Sequence, residues 1–329
     1  WIFFINLPIG LLAFIGILFH LERDRKYINV KVNYLGFLLL SITAASIQLI
    51  LDRGELEDWF SSSFILSLNI IFCFSFICFL INSFKSKNPL FSLGLFKDSY
   101  YVGGIIFAFL FGFILIPPFI LLPVFLSSIK GFPIYLIGSI LSCSAIGGMI
   151  ITFFMSKIID KIGNVCTMIM GLFIYMISNI HVSFWTTDIG ITEIIINSLL
   201  RGVSISVFYV ALANITYTSL PNNLRTDGAS LFQFLRTLGT GTSVAIFINL
   251  LNRFEKFHYE STRNSLLNSK LQTLNFFSND FLLANDKIQL YNLIYYYAKM
   301  NSIINDFFVL GIIPLIFFPF FLLFYKKNF

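Results

Sequence analysis

Nine apolar runs constrain this chain most, at about residues 2–20, 34–51, 62–83, 100–126, 133–156, 165–185, 190–219, 228–252 and 303–325. A helix needs about 20 mostly apolar residues to cross the ~30 Å of bilayer hydrocarbon, and the runs have about that length. No water is available there for backbone N–H and C=O groups, so each segment must satisfy them internally, as a helix does. Runs longer than one crossing are absorbed by tilt or by an interfacial end. Composition agrees: 57% of residues are hydrophobic and 12% charged, whereas soluble domains carry about a quarter charged residues. The expected fold class is an all-α polytopic membrane protein with about nine transmembrane helices.

The first run begins at Trp1, and its basic cluster Arg23, Arg25 and Lys26 follows the apolar residues instead of preceding them. A signal peptide has the opposite order and a small-residue cleavage site, which is not evident here. The run therefore reads as a mature span, with further sequence expected upstream.

Lys and Arg in short loops set orientation. With the end of the first span in the cytoplasm, that side holds Arg23, Arg25, Lys26, Lys31, Lys85, Lys87, Lys97, Lys157, Lys161, Arg225, Lys326 and Lys327. The opposite short loops hold only Arg53 and Lys130, and LDRGELEDWF is acidic through Asp52, Glu55, Glu57 and Asp58. The C-terminus is therefore expected in the cytoplasm. The net charge of +6 is mostly this topology signal and calls for no nucleic-acid partner. Residues 253–302 are polar and aromatic and read as a long outer loop. NSLLNSKLQTLNFF within it is amphipathic enough for short surface helices. An ordinary outer cap is the favoured reading of this loop over a docking surface.

Charge inside the runs is expensive, so it marks candidate function. Arg201 in SLLRGVSIS and Arg236 in FQFLRTLGTG each lie deep in an apolar run. Glu193, Asn197 and Arg201 are four apart and share one helix face, a stripe suited to line a cavity. The structural alternative is an arginine held by helix carbonyls and hydroxyls; it balances function at Arg201 and is favoured at Arg236. Gln233 joins Arg236 as a cavity or gating candidate. Gly239 to Ser243, Gly147 with Gly148, and Gly103 with Gly104 allow close helix approach. Pro117, Pro118 and Pro123 each remove a backbone donor and should bend or break their helix. Cys73, Cys78, Cys143 and Cys166 read as packing residues. His20, His181 and His258 sit near the ends of runs or in the long loop, and the first two read as interfacial residues. No run carries paired carboxylates, a His/Cys cluster or a Ser/His/Asp set, so an enzyme is not expected, nor any metal. No ring of like residues or filter segment suggests a channel.

Several stretches in order resemble one family. WIFFINLPIG, LDRGELEDWF, LFKDSYYVGG, LLPVFLSSIKGFP, LLRGVSIS and SLPNNLRTDGASLFQFLRTLGTGTS are similar to the 14-span drug:proton antiporters of the major facilitator superfamily, the EmrB/QacA type. The resemblance implies a partial major-facilitator fold beginning at the sixth span. Residues 1–26 would be the last helix of the N-terminal bundle, 27–98 two inserted spans, and 99–329 a complete C-terminal six-helix bundle. It implies that MSKIIDKIG carries a degenerate inner-loop motif through Asp160, Lys161 and Gly163, with Ser156 where the family often has Gly. Asp160 would cap or pair with neighbouring helix ends.

The implied function is the C-terminal part of a proton-coupled exporter of hydrophobic or amphipathic small molecules, with the proton gradient as coupling ion and no cofactor. The family's first-span acidic residue, inner loop and fifth-span motif would belong to the missing bundle. Expected surroundings are the inner membrane and, in a Gram-negative source, a periplasmic adaptor and an outer-membrane channel. A non-transporting remnant and a half-transporter needing a separate N-terminal piece are the rival readings.

Overall fold

The computed structural model describes residues 4, 6–20, 33–86, 88–273 and 284–324. Its helices are α1 (Asn6–His20), α2 (Tyr34–Arg53), α3 (Ser63–Lys85), α4 (Ser99–Leu115), α5 (Pro117–Ser128), α6 (Ile134–Thr152), α7 (Met155–Ile162), α8 (Asn164–Val182), α9 (Ile191–Thr218), α10 (Arg225–Thr273) and α11 (Ala284–Phe317). No strand occurs among the described residues. Among the described residues, eight segments are long and apolar enough to cross a membrane, α4 and α5 counting as one. The protein is an all-α polytopic membrane protein. Its outward faces are apolar, as a lipid surround requires: Phe74 and Phe84 on α3 are 69% and 70% exposed. The first expected span appears as α1, of which 15 residues are described, fewer than the about 20 of a full crossing. The basic residues expected at 21–32, Lys87, Lys326 and Lys327 lie outside the described residues.

Local chemistry sets the helix ends. Asn33 caps α2 by accepting from the Gly36 N–H at 2.8 Å, and its amide donates to Asn82 Oδ1 at 3.2 Å, tying α2 to α3. Asp98 caps α4 by accepting from the Tyr100 N–H at 2.9 Å. The three prolines divide as their positions dictate. Pro117 and Pro118 open α5 and separate it from α4 at Ile116, while Pro123 is accommodated inside α5. Pro118 has no N–H for the Ile114 carbonyl one turn back. That carbonyl instead accepts from the buried Tyr175 hydroxyl of α8 at 2.7 Å, so the break is sealed by a neighbouring helix.

In the main bundle α9 packs on α6 and α8, α11 on α8 and α10, and α10 on α4. Glycines set the closest crossings. A methyl at Gly202 of α9 would overlap the Ser144 carbonyl of α6, and one at Gly239 of α10 would overlap the Phe109 carbonyl of α4. The pair α2–α3 stands beside this bundle and meets α10, where Gln48 donates to the Gly241 carbonyl at 3.1 Å and Asn249 to the Leu51 carbonyl at 3.3 Å.

The stretch 253–302 departs from its reading as a loop. α10 continues unbroken to Thr273 and α11 begins at Ala284, so most of it is helix continuous with the spans; 274–283 lie outside the described residues. The reason is local: no Gly or Pro occurs between Gly241 and Gly311, so nothing stops either helix. At 49 residues α10 is roughly 70 Å long, well beyond one crossing. Its extension lies against α11 through Tyr259 and Tyr291, ring centroids 5.7 Å apart, and against the α2–α3 turn through the ion pair of Arg253 with Glu55. Of the cysteines expected as packing residues, Cys73 and Cys166 are instead exposed.

Candidate transport site

α9 carries Arg201 about 15 Å from its N-terminal end, inside the apolar segment. The side chain is 2% exposed. Nη2 donates to Asn197 Oδ1 at 2.9 Å, and the guanidinium lies over the Phe307 ring of α11, 5.3 Å from its centroid. Such a cation–π contact contributes about 0.5–2 kcal/mol, more when water is excluded. Asn197 is itself held by α8: its amide donates to the Ser178 carbonyl at 2.8 Å and approaches His181 Nδ1 at 3.3 Å. Trp185 Nε1 donates to the same nitrogen at 3.3 Å. Nδ1 is then the acceptor, and a neutral His181 carries its proton on Nε2. A polar thread thus runs from Trp185 and His181 through Asn197 to Arg201, crossing from α8 to α9.

The thread is incompletely satisfied. Arg201 Nε, Asn179 Oδ1 and Ser198 Oγ are buried without partners. So are both carboxylate oxygens of Asp306 on α11, a residue with 0% exposure beside Phe307. The only ion pair among the described residues is Arg253 with Glu55, so neither Arg201 nor Asp306 has a counter-charge. An unpaired buried ion costs several kcal/mol, which makes this level of the bundle the chemically unsettled part of the molecule.

The sequence candidates separate into three places. Asn197 and Arg201 sit together and closed from solvent, whereas Glu193 is exposed at the first turn of α9 and takes no part. The expected three-residue stripe is therefore a buried pair facing α8 and α11. Arg236 is half-buried on α10, its guanidinium 5.7 Å from the Tyr209 ring centroid on α9. Gln233 is exposed one turn earlier on α10. These two lie on the α9–α10 side, apart from Arg201. Asp160 and Lys161 are exposed on α7, and Gly163, at φ 80°, turns the chain into α8. That left-handed φ favours glycine. Asp160 makes no hydrogen bond or ion pair among the described residues, so its expected capping role is not realised in this conformation.

Asp306 was not among the residues singled out from the sequence. Its signal was present in NDFFVLGIIPLIFF, an acid one residue before an uninterrupted apolar stretch.

Outside the spans, Glu55 is held below the usual carboxylate range, first by its hydrogen bonds from Arg253 and then by the Trp59 indole N–H. It borders a cavity of about 660 Å³ lined also by Glu255, Lys256, Tyr259, Tyr291 and Tyr295.

Comparison with known proteins agrees with this architecture. A family model described as Major Facilitator Superfamily matches residues 1–244. The fatty acid resistance protein FarB of Neisseria gonorrhoeae is 29% identical over 79% of this chain and 51% of its own length. The probable multidrug resistance protein EmrY of Escherichia coli is 28% identical over 93% of this chain and 58% of its own. The multidrug export protein EmrB of Haemophilus influenzae is 28% identical over 80% and 52%. The chain thus spans about half the length of the curated relatives it matches. With its helical bundle and the family match over residues 1–244, the chain belongs to the Major Facilitator Superfamily.

Proposed function

We propose that this chain forms part of a proton-coupled exporter of hydrophobic or amphipathic small molecules in the cytoplasmic membrane. The observation that carries the reading is its similarity, over 79–93% of its length, to relatives named for multidrug export or for resistance to drugs or fatty acids. The bundle would rock against a second set of helices, on the same polypeptide or another, and expose a shared midplane cavity to each side in turn. The proton gradient supplies the driving force and no further cofactor is invoked. Arg236 with Tyr209, beside the exposed Gln233, is the polar contact on the α9–α10 side suited to line that cavity. In a Gram-negative cell an adaptor and outer-membrane channel would complete the route.

The reading is tested by expressing the protein in a drug-sensitive host and following accumulation of an amphipathic fluorescent cation. Lower accumulation that a protonophore abolishes is expected. Accumulation equal to the empty-vector control, with the protein verified in the membrane, overturns it.

A further inference from the structure

The seam between the α2–α3 pair and α10 is drawn tight at one end and open at the other. Toward the C-terminal end of α2 it is closed by Gln48 on the Gly241 carbonyl, Asn249 on the Leu51 carbonyl and Arg253 on Glu55. Toward the opposite end a groove of about 380 Å³ separates the same helices. Leu40 and Ala44 of α2, Phe76 and Phe79 of α3, and Leu231 and Leu235 of α10 form its walls, and Phe91 and Phe96, between α3 and α4, complete it. Thr43 is the only polar side chain among the described ones lining it. Its hydroxyl is engaged by the Leu39 carbonyl at 2.8 Å and by Ser75 Oγ at 2.9 Å. With no free polar group to hold water, such a space takes hydrocarbon.

Depth and size choose the occupant. The walls run from Leu40 to Ile47 on α2, Phe79 to Phe72 on α3 and Leu231 to Leu238 on α10. They lie roughly 9–20 Å in from the helix ends at Tyr34, Lys85 and Arg225. Half of the ~30 Å hydrocarbon core is about 15 Å, so the groove sits among the acyl chains of one leaflet. A further helix, about 10 Å across, would fill roughly 800 Å³ over that depth, twice the space there is. The membrane-surface end of the groove also lacks oxygen. Asn82 continues the face of Phe72, Phe76 and Phe79. Its Oδ1 accepts from Asn33 at 3.2 Å, but its Nδ2 is buried without an acceptor. Lys85, in the same turn, and Lys97, next to Phe96, are exposed, and the only ion pair among the described residues is Arg253 with Glu55. Asp98, the carboxylate beside Lys97, is committed to capping α4.

We propose that this groove is a binding site for one anionic phospholipid of the leaflet at that end. One acyl chain lies between α2, α3 and α10 and restores the contacts that the facing side chains lack across the gap. The Asn82 amide donates to a phosphate or ester oxygen, and Lys85 and Lys97 select a negatively charged headgroup. The lipid completes the seam that the polar contacts begin, and so holds the α2–α3 pair on the bundle. The site is independent of what the protein transports.

Native mass spectrometry of the purified full chain, given equal amounts of phosphatidylglycerol and phosphatidylcholine, reads the site without requiring transport. The wild type is expected to keep one phosphatidylglycerol at a collision energy that strips the other lipids. A44F fills the groove and should lose that retained lipid. K85Q/K97Q leaves the groove intact and should lower the preference for phosphatidylglycerol by about fivefold per lysine. If A44F does not fold, Phe234→Trp on the groove wall carries the assignment of the chain. Phosphatidylglycerol with brominated chains should quench it, above the wild-type background, at a lower mole fraction than it quenches Phe173→Trp on the exposed face of α8. The proposal is overturned by no retained lipid, by equal retention in wild type and A44F, by a headgroup preference that is absent or untouched by the lysine substitutions, or by equal quenching at positions 234 and 173.

Discussion

Replacing Gly202 by alanine should loosen the seam between α6 and α9. A Cβ at this position would overlap the Ser144 carbonyl oxygen, and lies 2.5 Å from its carbon and 2.8 Å from its α-carbon. Ordinary contact begins at 3.4 Å, so backbone must yield by about 0.9 Å at the carbon alone. No side-chain rotation relieves this, because every nearest atom is backbone; the helices must separate. Separation also loosens the neighbouring Gly147 approach to the Leu199 carbonyl. Overpacking of this kind costs about 1–3 kcal/mol. Alanine returns about 0.5–1 kcal/mol over glycine in a helix interior, leaving a net loss on the order of 1–2 kcal/mol. Gly138 on α6 is the internal control, since a Cβ there meets nothing within 4 Å. Thermal unfolding of detergent-purified variants, followed by monodispersity on size exclusion, should rank G202A below wild type and G138A at or above it. Equal midpoints for G202A and G138A would refute the argument that α6 and α9 touch through this glycine.

Other perturbations have equally definite outcomes. Tyr175→Phe leaves the Ile114 carbonyl without a donor at the Pro118 break and should cost about 1–3 kcal/mol. Pro118→Ala in the same background supplies an N–H and should recover part of that loss in a double-mutant cycle. Asn197→Ala removes the acceptor for a buried guanidinium and should cost about 1.5–3 kcal/mol by the same unfolding assay. The Glu55 carboxyl is held below its ordinary value of 4.5 by Arg253. Its contribution to holding the α10 extension is therefore present above that value and lost as pH falls through the folded one. Hydrogen exchange in residues 253–265 should rise at acid pH and at high salt in the wild type, and E55Q should flatten the acid dependence. The effect is small because the pair is exposed and screened.

What could be read from the residues was whatever length and periodicity encode. Spans 34–51 and 165–185 appear as α2 and α8 because a bilayer demands long apolar helices and little else competes. The Pro117–Pro118 break was legible for the same kind of reason, a missing donor. Its seal by Tyr175 was not, because it joins residues 61 apart. Residues 253–302 looked like a loop because they are polar, yet polarity does not end a helix; Gly and Pro do, and both are absent there. Arg201 announced itself as a charge in an apolar run, but not that it turns toward α11. Asp306 escaped because it stands at the start of its apolar stretch, where an acid looks interfacial. Only the extension of α11 back to Ala284 puts Asp306 inside a helix rather than at its edge.

Coupled transport can be read most directly in proteoliposomes loaded with a pH-sensitive dye, with an amphipathic substrate and proton movement followed together under an imposed pH gradient. Proton-coupled export predicts that substrate and protons move in opposite directions, that collapsing the gradient stops net substrate movement, and that adding substrate accelerates proton flux. Substrate movement indifferent to the gradient, with proton flux unchanged by substrate, would contradict it.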